Sequence, residues 1–340
     1  MIIRAKAPLR IGLAGGGTDV SPYSDTYGGC VLNACINMYA YATIEPMDNG
    51  KIELSCPDRN KHKVYDSAEY LSIDGDFDLL KGVYNRIVKD YVHKPLSFKL
   101  TTYVDAPAGS GLGSSSTLVV AIVKAFQEWL NLSLGEYDLA NLAWSIERED
   151  LNMSGGRQDQ YAAAFGGFNF MQFNGANVLV NPLRIKKEYI NELEFNLLLY
   201  YTGTSRLSAK IIESQVKNTK NKNVKAIDAM HRLKQHAYDM KEALLTGKIN
   251  KMGILFNEGW ENKKQMSTDI SNPIIDNIYD VAIEAGASGG KISGAGGGGF
   301  FMFYCPGNTR YAVISELLNI GGEFRRYRFT NLGAESWTIS

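Results

Sequence analysis

Cysteine, histidine and net charge are all scarce in this chain of 340 residues. The four cysteines, Cys30, Cys35, Cys56 and Cys305, contain no C-x-x-C pair. So few in a chain this long do not make the disulfide framework of a small secreted domain. Free thiols in a reducing cytoplasm are the plain expectation. The four histidines do not suggest zinc either. His231 and His236 fall on one expected helix, where ~100° per residue would set them about 140° apart. The 36 basic side chains match the 36 acidic ones, and no block of like charge stands out. Nucleic acid and anionic membrane are poor partners for such a chain, so any anion site has to be local. Long apolar runs are also missing. "LVVAIV" at 118–123 and "LLLYY" at 197–201 fall far short of the ~20 residues that span a bilayer. No apolar run follows the charges of the N-terminus, so no signal peptide is expected. A soluble, cytoplasmic protein with no membrane partner is the resulting expectation.

Hydrophobic residues, by contrast, make up 45% of the chain, enough for a sizeable core and two domains. Alternation predicts strands over 30–46 and 96–107. Residues 114–130 are apolar nearly all round, which predicts a buried helix. A second helix is expected over 133–150, opened by a Ser133–Glu136 capping box. A third is expected over about 224–246, with Gly247 as its C-terminal cap. The polar run 217–225 reads as an exposed loop, and a domain boundary is expected around 180–195. Strands and helices do not alternate regularly enough for a doubly wound sheet, so the fold class is α+β.

Glycine is the residue in excess, with 34 copies. "DAPAGSGLGSSS" (105–116) sets Gly109, Ser110, Gly111, Leu112, Gly113 and Ser114–Ser116 between a strand ending near Pro107 and the buried helix. A helix start exposes unpaired N–H groups and the positive end of the helix dipole. Glycines let backbone approach an anion, and serine hydroxyls can donate to phosphate or bind Mg²⁺. No Lys follows the glycines, so this is not a Walker A loop, and it is not G-x-G-x-x-G. Two further clusters stand at 6–19 (KAPLRIGLAGGGTD) and 291–305 (KISGAGGGGFFMFYC). The second, with Gly294, Gly296 and Gly297, predicts a loop closing on phosphate from the other side.

Together, and in this order, the three clusters resemble the motifs of the GHMP kinase family, which includes galactokinase, homoserine kinase, mevalonate kinase and phosphomevalonate kinase. The likeness runs from Lys6 to Tyr304. It implies a two-domain fold: a ribosomal protein S5 domain 2-like N-terminal domain (1–188) and a ferredoxin-like C-terminal domain (189–340). ATP and Mg²⁺ are the implied cofactors. Asp159 matches the aspartate facing the acceptor hydroxyl, and Arg10 the basic residue paired with it. Ser115 and Glu147 match the metal ligands. Motif one reads Gly15-Gly16-Gly17-Thr18-Asp19 where galactokinase-type members read Gly-Glu-His-Thr-Asp. The resemblance places Gly16, Gly17, Thr18 and Asp19 at the acceptor, and the lost glutamate suits an acceptor already carrying a phosphate. Arg157, Ser205, Arg206 and Lys210 are candidates for holding that phosphate.

Within the family, the stretches at 10–29 and 200–213 look most like the D-glycero-D-manno-heptose 7-phosphate kinases, and next like the kinase part of fucokinases. The first likeness implies phosphorylation of the anomeric hydroxyl on the way to a nucleotide-activated heptose for surface glycans. A kinase of an unphosphorylated sugar, a decarboxylase and a non-catalytic sugar sensor of the same fold are the alternatives. The joint presence of Arg10, Ser115, Glu147 and Asp159 argues against the sensor. Whether the chain forms a homodimer is left open.

Overall fold

The structure is a computed structural model that describes residues 1–203 and 208–340. The N-terminal part holds strands β1 (Ile2–Ala14), β2 (Gly29–Pro46), β3 (Lys51–Cys56), β4 (Lys61–Asp66) and β5 (Phe98–Val104). Strands β6 (Phe168–Asn174) and β7 (Asn177–Pro182) complete its run before the second sheet. That second sheet is built from β8 (Leu197–Tyr201), β9 (Gly289–Ile292), β10 (Phe300–Tyr304) and β11 (Glu323–Phe324), and β12 (Glu335–Ile339) follows. The helices before β8 are α1 (Tyr23–Tyr27), α2 (Asp78–Ile87), α3 (Ser114–Leu130), α4 (Glu136–Ser145), α5 (Gln158–Phe165) and α6 (Lys187–Asn196). Those after it are α7 (Ser208–Lys220), α8 (Val224–Leu245), α9 (Met252–Lys264), α10 (Pro273–Glu284) and α11 (Arg310–Asn319).

The first sheet branches because β2 is 18 residues long. Residues Gly29–Ala34 pair with β6, Ala40–Pro46 pair with β5, and β1 runs along the other edge. Helix α3 lies across β1 and β2. Val119, Ile122, Val123 and Phe126 are fully buried there, each contributing roughly 1.5–3 kcal/mol by leaving water. A helix anchored along its length has a fixed N-terminus, and that end is where the site is built. The second sheet is antiparallel, in the order β11-β8-β10-β9. It carries its own core, in which Tyr200, Trp260, Phe301, Phe303 and Leu317 are buried. The chain does not stay in this sheet once it has entered it. β12 pairs with β1, and Phe329 bridges to Ile36, so the tail returns to the first sheet.

Three expectations need correction. The expected Ser133–Glu136 capping box does not form, and the N-cap lies two residues later at a glycine, which has no side chain to complete a box. Gly135 is the N-cap of α4, and the Asp138 carboxylate accepts from the Gly135 amide at 3.0 Å. That helix also ends early, passing at Ile146 into a wide π-helical turn through Asp150. The polar run 217–225 is helical up to Lys220, and α8 restarts at Val224 with Asn223 as its side-chain cap. Its polarity marks the exposed end of an amphipathic helix. No helix among the described residues is long and apolar enough to cross a membrane.

Candidate active site

A cleft of about 490 Å³ opens where α3, α5, the loop after β1, α7 and α9 meet. Its wall includes Ala108, Gly109, Gly111, Gly113 and Ser114–Ser116. The helix dipole of α3 points here, and its N-cap is Gly113, which has no side chain to cap with. The amides of Ser114, Ser115 and Ser116 have no acceptor among the described residues. The carbonyls that would have continued the helix backwards are already engaged. Ser110 O accepts from Phe300 N, Leu112 O accepts from Arg10 N, and Gly111 O accepts from Arg10 Nη1 and Ser293 Oγ. The helix therefore starts at Ser114 with its first turn open to the cleft.

Arg10 is 3% exposed and does more than pair with one carboxylate. Its Nε and Nη2 both reach Asp159 Oδ1, at 2.7 and 2.6 Å, while Nη1 donates to Gly111 O at 2.7 Å. Asp159 Oδ2 is left without a donor among the described residues, in a side chain about a quarter exposed to the cleft. Arg10 thus ties β1, the glycine–serine loop and α5 together and orients one free carboxylate oxygen.

Glu147 lies on the π-helical turn, 1% exposed, and lines the same wall. It accepts from Ser116 Oγ at 3.0 Å and from Gln160 Nε2. Burial pushes its carboxyl above the usual range, with nearby Arg148 pulling the other way. The serine on Glu147 is therefore Ser116. Ser115, matched by the resemblance to a metal ligand, faces the cleft half-buried. Among the described residues no group of three or more acidic, His or Cys side chains is placed to hold a metal ion by itself. A carboxylate and a hydroxyl beside open amides fit Mg²⁺, which binds through one or two carboxylates and takes its remaining ligands from phosphate and water.

Asp19 is buried and fully engaged. Oδ1 accepts from Gly17 N and Gln158 Nε2 at 3.1 and 3.2 Å, and Oδ2 from Arg157 N and Gln158 N at 3.1 and 3.2 Å. It caps the N-terminus of α5 from a distance, and burial followed by the Asp159 charge raises its pKa. Gly156 makes this possible: a Cβ there would lie 1.9 Å from Asp19 Oδ2. Gly156→Ala is expected to push Asp19 off the helix. Urea unfolding should show a loss of about 1–3 kcal/mol, the usual cost of overpacking, together with reduced turnover.

Several sequence candidates do not reach the cleft. Thr18 is fully buried, and its hydroxyl is used up by Gly15 O, Cys30 O and Cys30 N. The Arg157 guanidinium lies 4.0 Å over the Trp144 ring and donates to Ala176 O, away from the cavity. Lys210 is exposed outside the cleft, and Ser205 and Arg206 lie outside the described residues. Pro107, Ser110 and Leu112 support the loop without lining the cavity. In the third glycine cluster only Gly294 and Ala295 face it. Gly296 and Gly297 turn inward on Ile270, whose carbonyl accepts from Gly297 N at 2.8 Å. The cluster instead locks onto the first loop, since a Cβ on Gly111 would stand 2.2 Å from Ser293 O. Gly16 and Gly17 are half-buried, Gly16 beside Gln158 and Gly17 in the cleft wall.

Residues that the sequence did not point to also line the wall: Arg148, Gln158, Gln215 and Lys263. Gln158 flanks Asp159 and could have been picked up from that neighbourhood. Lys263 sits in "ENKK", which reads like any surface helix turn.

Residues 78–167 match the GHMP kinases N terminal domain, and 240–322 match the GHMP kinases C terminal domain. A D-glycero-alpha-D-manno-heptose 7-phosphate kinase of Campylobacter jejuni is 50% identical over 338 residues, 99% of each chain. The chain belongs to the GHMP kinases. It is an ATP-dependent kinase of that family, and Glu147 and Asp159 lie within the first matched segment. The crystal structure of a D-glycero-D-manno-heptose 1-phosphate kinase from Bacteriodes thetaiotaomicron superposes with a TM-score of 0.85 at 49% identity, covering 99% of both chains. A galactokinase of Pyrococcus furiosus is 28% identical over 325 residues and 87% of each chain.

Proposed function

We propose that this kinase transfers the γ-phosphoryl group of ATP to the anomeric C1 hydroxyl of D-glycero-D-manno-heptose 7-phosphate. The product is the 1,7-bisphosphate, a precursor of a nucleotide-activated heptose for surface glycans. The observation that carries the reading is the Arg10–Asp159 pair, with one free carboxylate oxygen, beside the open amides of α3. Phosphoryl transfer needs positioning and charge stabilisation more than covalent help. The amides of Ser114–Ser116 bind phosphate oxygens. Asp159 Oδ2 orients the acceptor hydroxyl and takes its proton as its oxygen bonds to phosphorus. The bond from phosphorus to the bridging oxygen of ADP breaks, and Arg10 offsets the charge that develops. Glu147, with Ser115 and Ser116, would hold Mg²⁺, which when bound neutralises β- and γ-phosphate charge.

Gln158 and Gln215, both buried in the cleft wall, offer neutral amides to sugar hydroxyls. Neutral groups there suit an acceptor that carries a dianion of its own, because they do not repel it.

The names of the Campylobacter and Bacteriodes relatives put the phosphate already on the acceptor at different carbons. An ATP-consumption panel should therefore include heptose 7-phosphate, heptose 1-phosphate, galactose and fucose, with phosphorus NMR of the products. Heptose 7-phosphate is expected to give the highest kcat/KM and a new anomeric phosphate signal. Preference for free galactose or fucose would overturn the phosphate-sugar reading. Preference for the 1-phosphate would overturn the C1 assignment.

A further inference from the structure

Lys263, on α9, is a cation out of water and without a counter-ion at contact distance among the described residues. It is 3% exposed and lines the cleft beside Arg10 and Gly294. Its ammonium donates to Gly294 O, in the loop that closes on the phosphate-binding turn. An ammonium has three N–H donors, and one carbonyl satisfies one of them. Buried charges are ordinarily paired, because desolvation without a partner is expensive. The nearby Lys291 shows the structural alternative: its ammonium is sealed against Gly12 O at 2.5 Å and does not line the cavity. Lys263 has donors to spare and faces the cavity.

We infer that Lys263 is a phosphate ligand supplied from the C-terminal half of the chain, which completes its coordination with an oxygen of an anion bound in the cleft. The anion is a phosphate group, either the transferred phosphoryl of ATP or the phosphate on the acceptor. This rests on the kinase reading of the cleft, but not on which sugar is used. The carbonyl of Gly294 holds the ammonium at the wall, so the cation is in place before ligand arrives and little ordering is needed on binding.

Electrostatics add a signature. Burial, followed by the Arg10 charge, lowers the Lys263 pKa to about 8, and Asp19 opposes that shift. The groups facing it are Arg10 on β1, Asp19 after β1, Lys291 on β9 and, across the cleft, Asp159 on α5. Lys291 is likewise pushed well below its usual value, by burial and then by the Lys263 and Arg10 charges. A phosphate oxygen stabilises the charged ammonium and raises its pKa again. Binding should then take up a proton near pH 8, and affinity should fall as pH rises through that value.

The test is calorimetry with the non-hydrolysable analogue AMPPNP plus magnesium, from pH 6.5 to 9.5, on wild type, Lys263→Met and Lys263→Arg. Wild type is expected to weaken above about pH 8 with proton uptake. Lys263→Met should bind roughly ten- to hundredfold more weakly at pH 7, as expected for losing a charge-assisted hydrogen bond, and its alkaline slope should vanish. Lys263→Arg should keep its affinity at pH 9. Normal AMPPNP binding by Lys263→Met with a raised KM for heptose 7-phosphate would instead assign the acceptor's phosphate as the ligand, which also supports the inference. Unchanged AMPPNP binding and unchanged acceptor KM in Lys263→Met would overturn it. So would a lower melting temperature of the unliganded variant with wild-type pH dependence, the mark of a purely structural brace. Failure of wild type to bind AMPPNP would sink the kinase reading itself, a separate result.

Discussion

Asp159→Asn is expected to leave a folded protein that binds ATP and turns over at about 10²–10⁴-fold below wild type, the range of a positioned acid–base group. The amide oxygen of Asn can still accept from Arg10, as Oδ1 does now at 2.7 Å from Nε. What disappears is Oδ2, the oxygen without a protein donor, replaced by an amide that donates and cannot accept the hydroxyl proton. The loss should therefore fall on kcat, with AMPPNP affinity and the melting temperature close to wild type. Steady-state kinetics beside calorimetry checks it. Turnover within about tenfold of wild type, below the range for such a group, would mean that another group receives the proton.

Arg10→Met should cost nearly as much, for a different reason. The substitution removes the donor that orients Asp159 and leaves Gly111 O and Ser293 without their shared partner. Breaking a buried ion pair costs about 3–5 kcal/mol. The lower end applies here, because the Asp159 side chain is 24% exposed while that of Arg10 is 4% exposed. Arg10→Met is thus expected to lose both stability and at least about a hundredfold in kcat, as for a group that stabilises developing charge. Arg10→Lys separates the two effects. It keeps the charge but cannot place two donors on Oδ1 and a third on Gly111 O. Its melting temperature should lie between wild type and Arg10→Met, while kcat stays far below wild type. Recovery of both by Lys would show that charge alone matters at this position.

The two variants also bear on how the site is put together. Arg10 comes from β1, Asp159 from α5 and Ser293 from the turn after β9, and the contacts that join them span 101 to 283 residues of chain. A one-residue phase error in any of these elements would aim a side chain elsewhere. Ser115 and Ser116 illustrate it: the motif singles out one serine, and the helix phase of α3 brings its neighbour to Glu147. Glu147 itself reaches the wall from a π-helical turn, whose extra residue per turn is not written in the i, i+3, i+4 pattern.

Much was legible in the chain alone. The largely apolar segment 114–130 announced a buried α3, alternation marked β2 and β5, and the three glycine clusters named the loops that meet. These are local properties, set by side-chain periodicity and by which residues tolerate φ > 0 or close backbone approach. Arg10, Asp159 and Glu147 were indicated by the resemblance to the GHMP kinases and Gly294 by its glycine cluster, and all four line the cleft.

Tertiary structure decided the rest, and hydrogen-bond satisfaction is the reason. Thr18 and Asp19 have the right chemistry for a sugar, yet their polar atoms serve backbone groups that would otherwise be buried without partners. The Arg157 guanidinium is drawn instead to the Trp144 ring and the exposed Ala176 carbonyl. No pattern in the chain records that Asp19 caps a helix starting 139 residues later. Nor does any pattern separate Lys263 from the surface lysine beside it. Only the folded arrangement shows which donors and acceptors are already used and which still face the cleft.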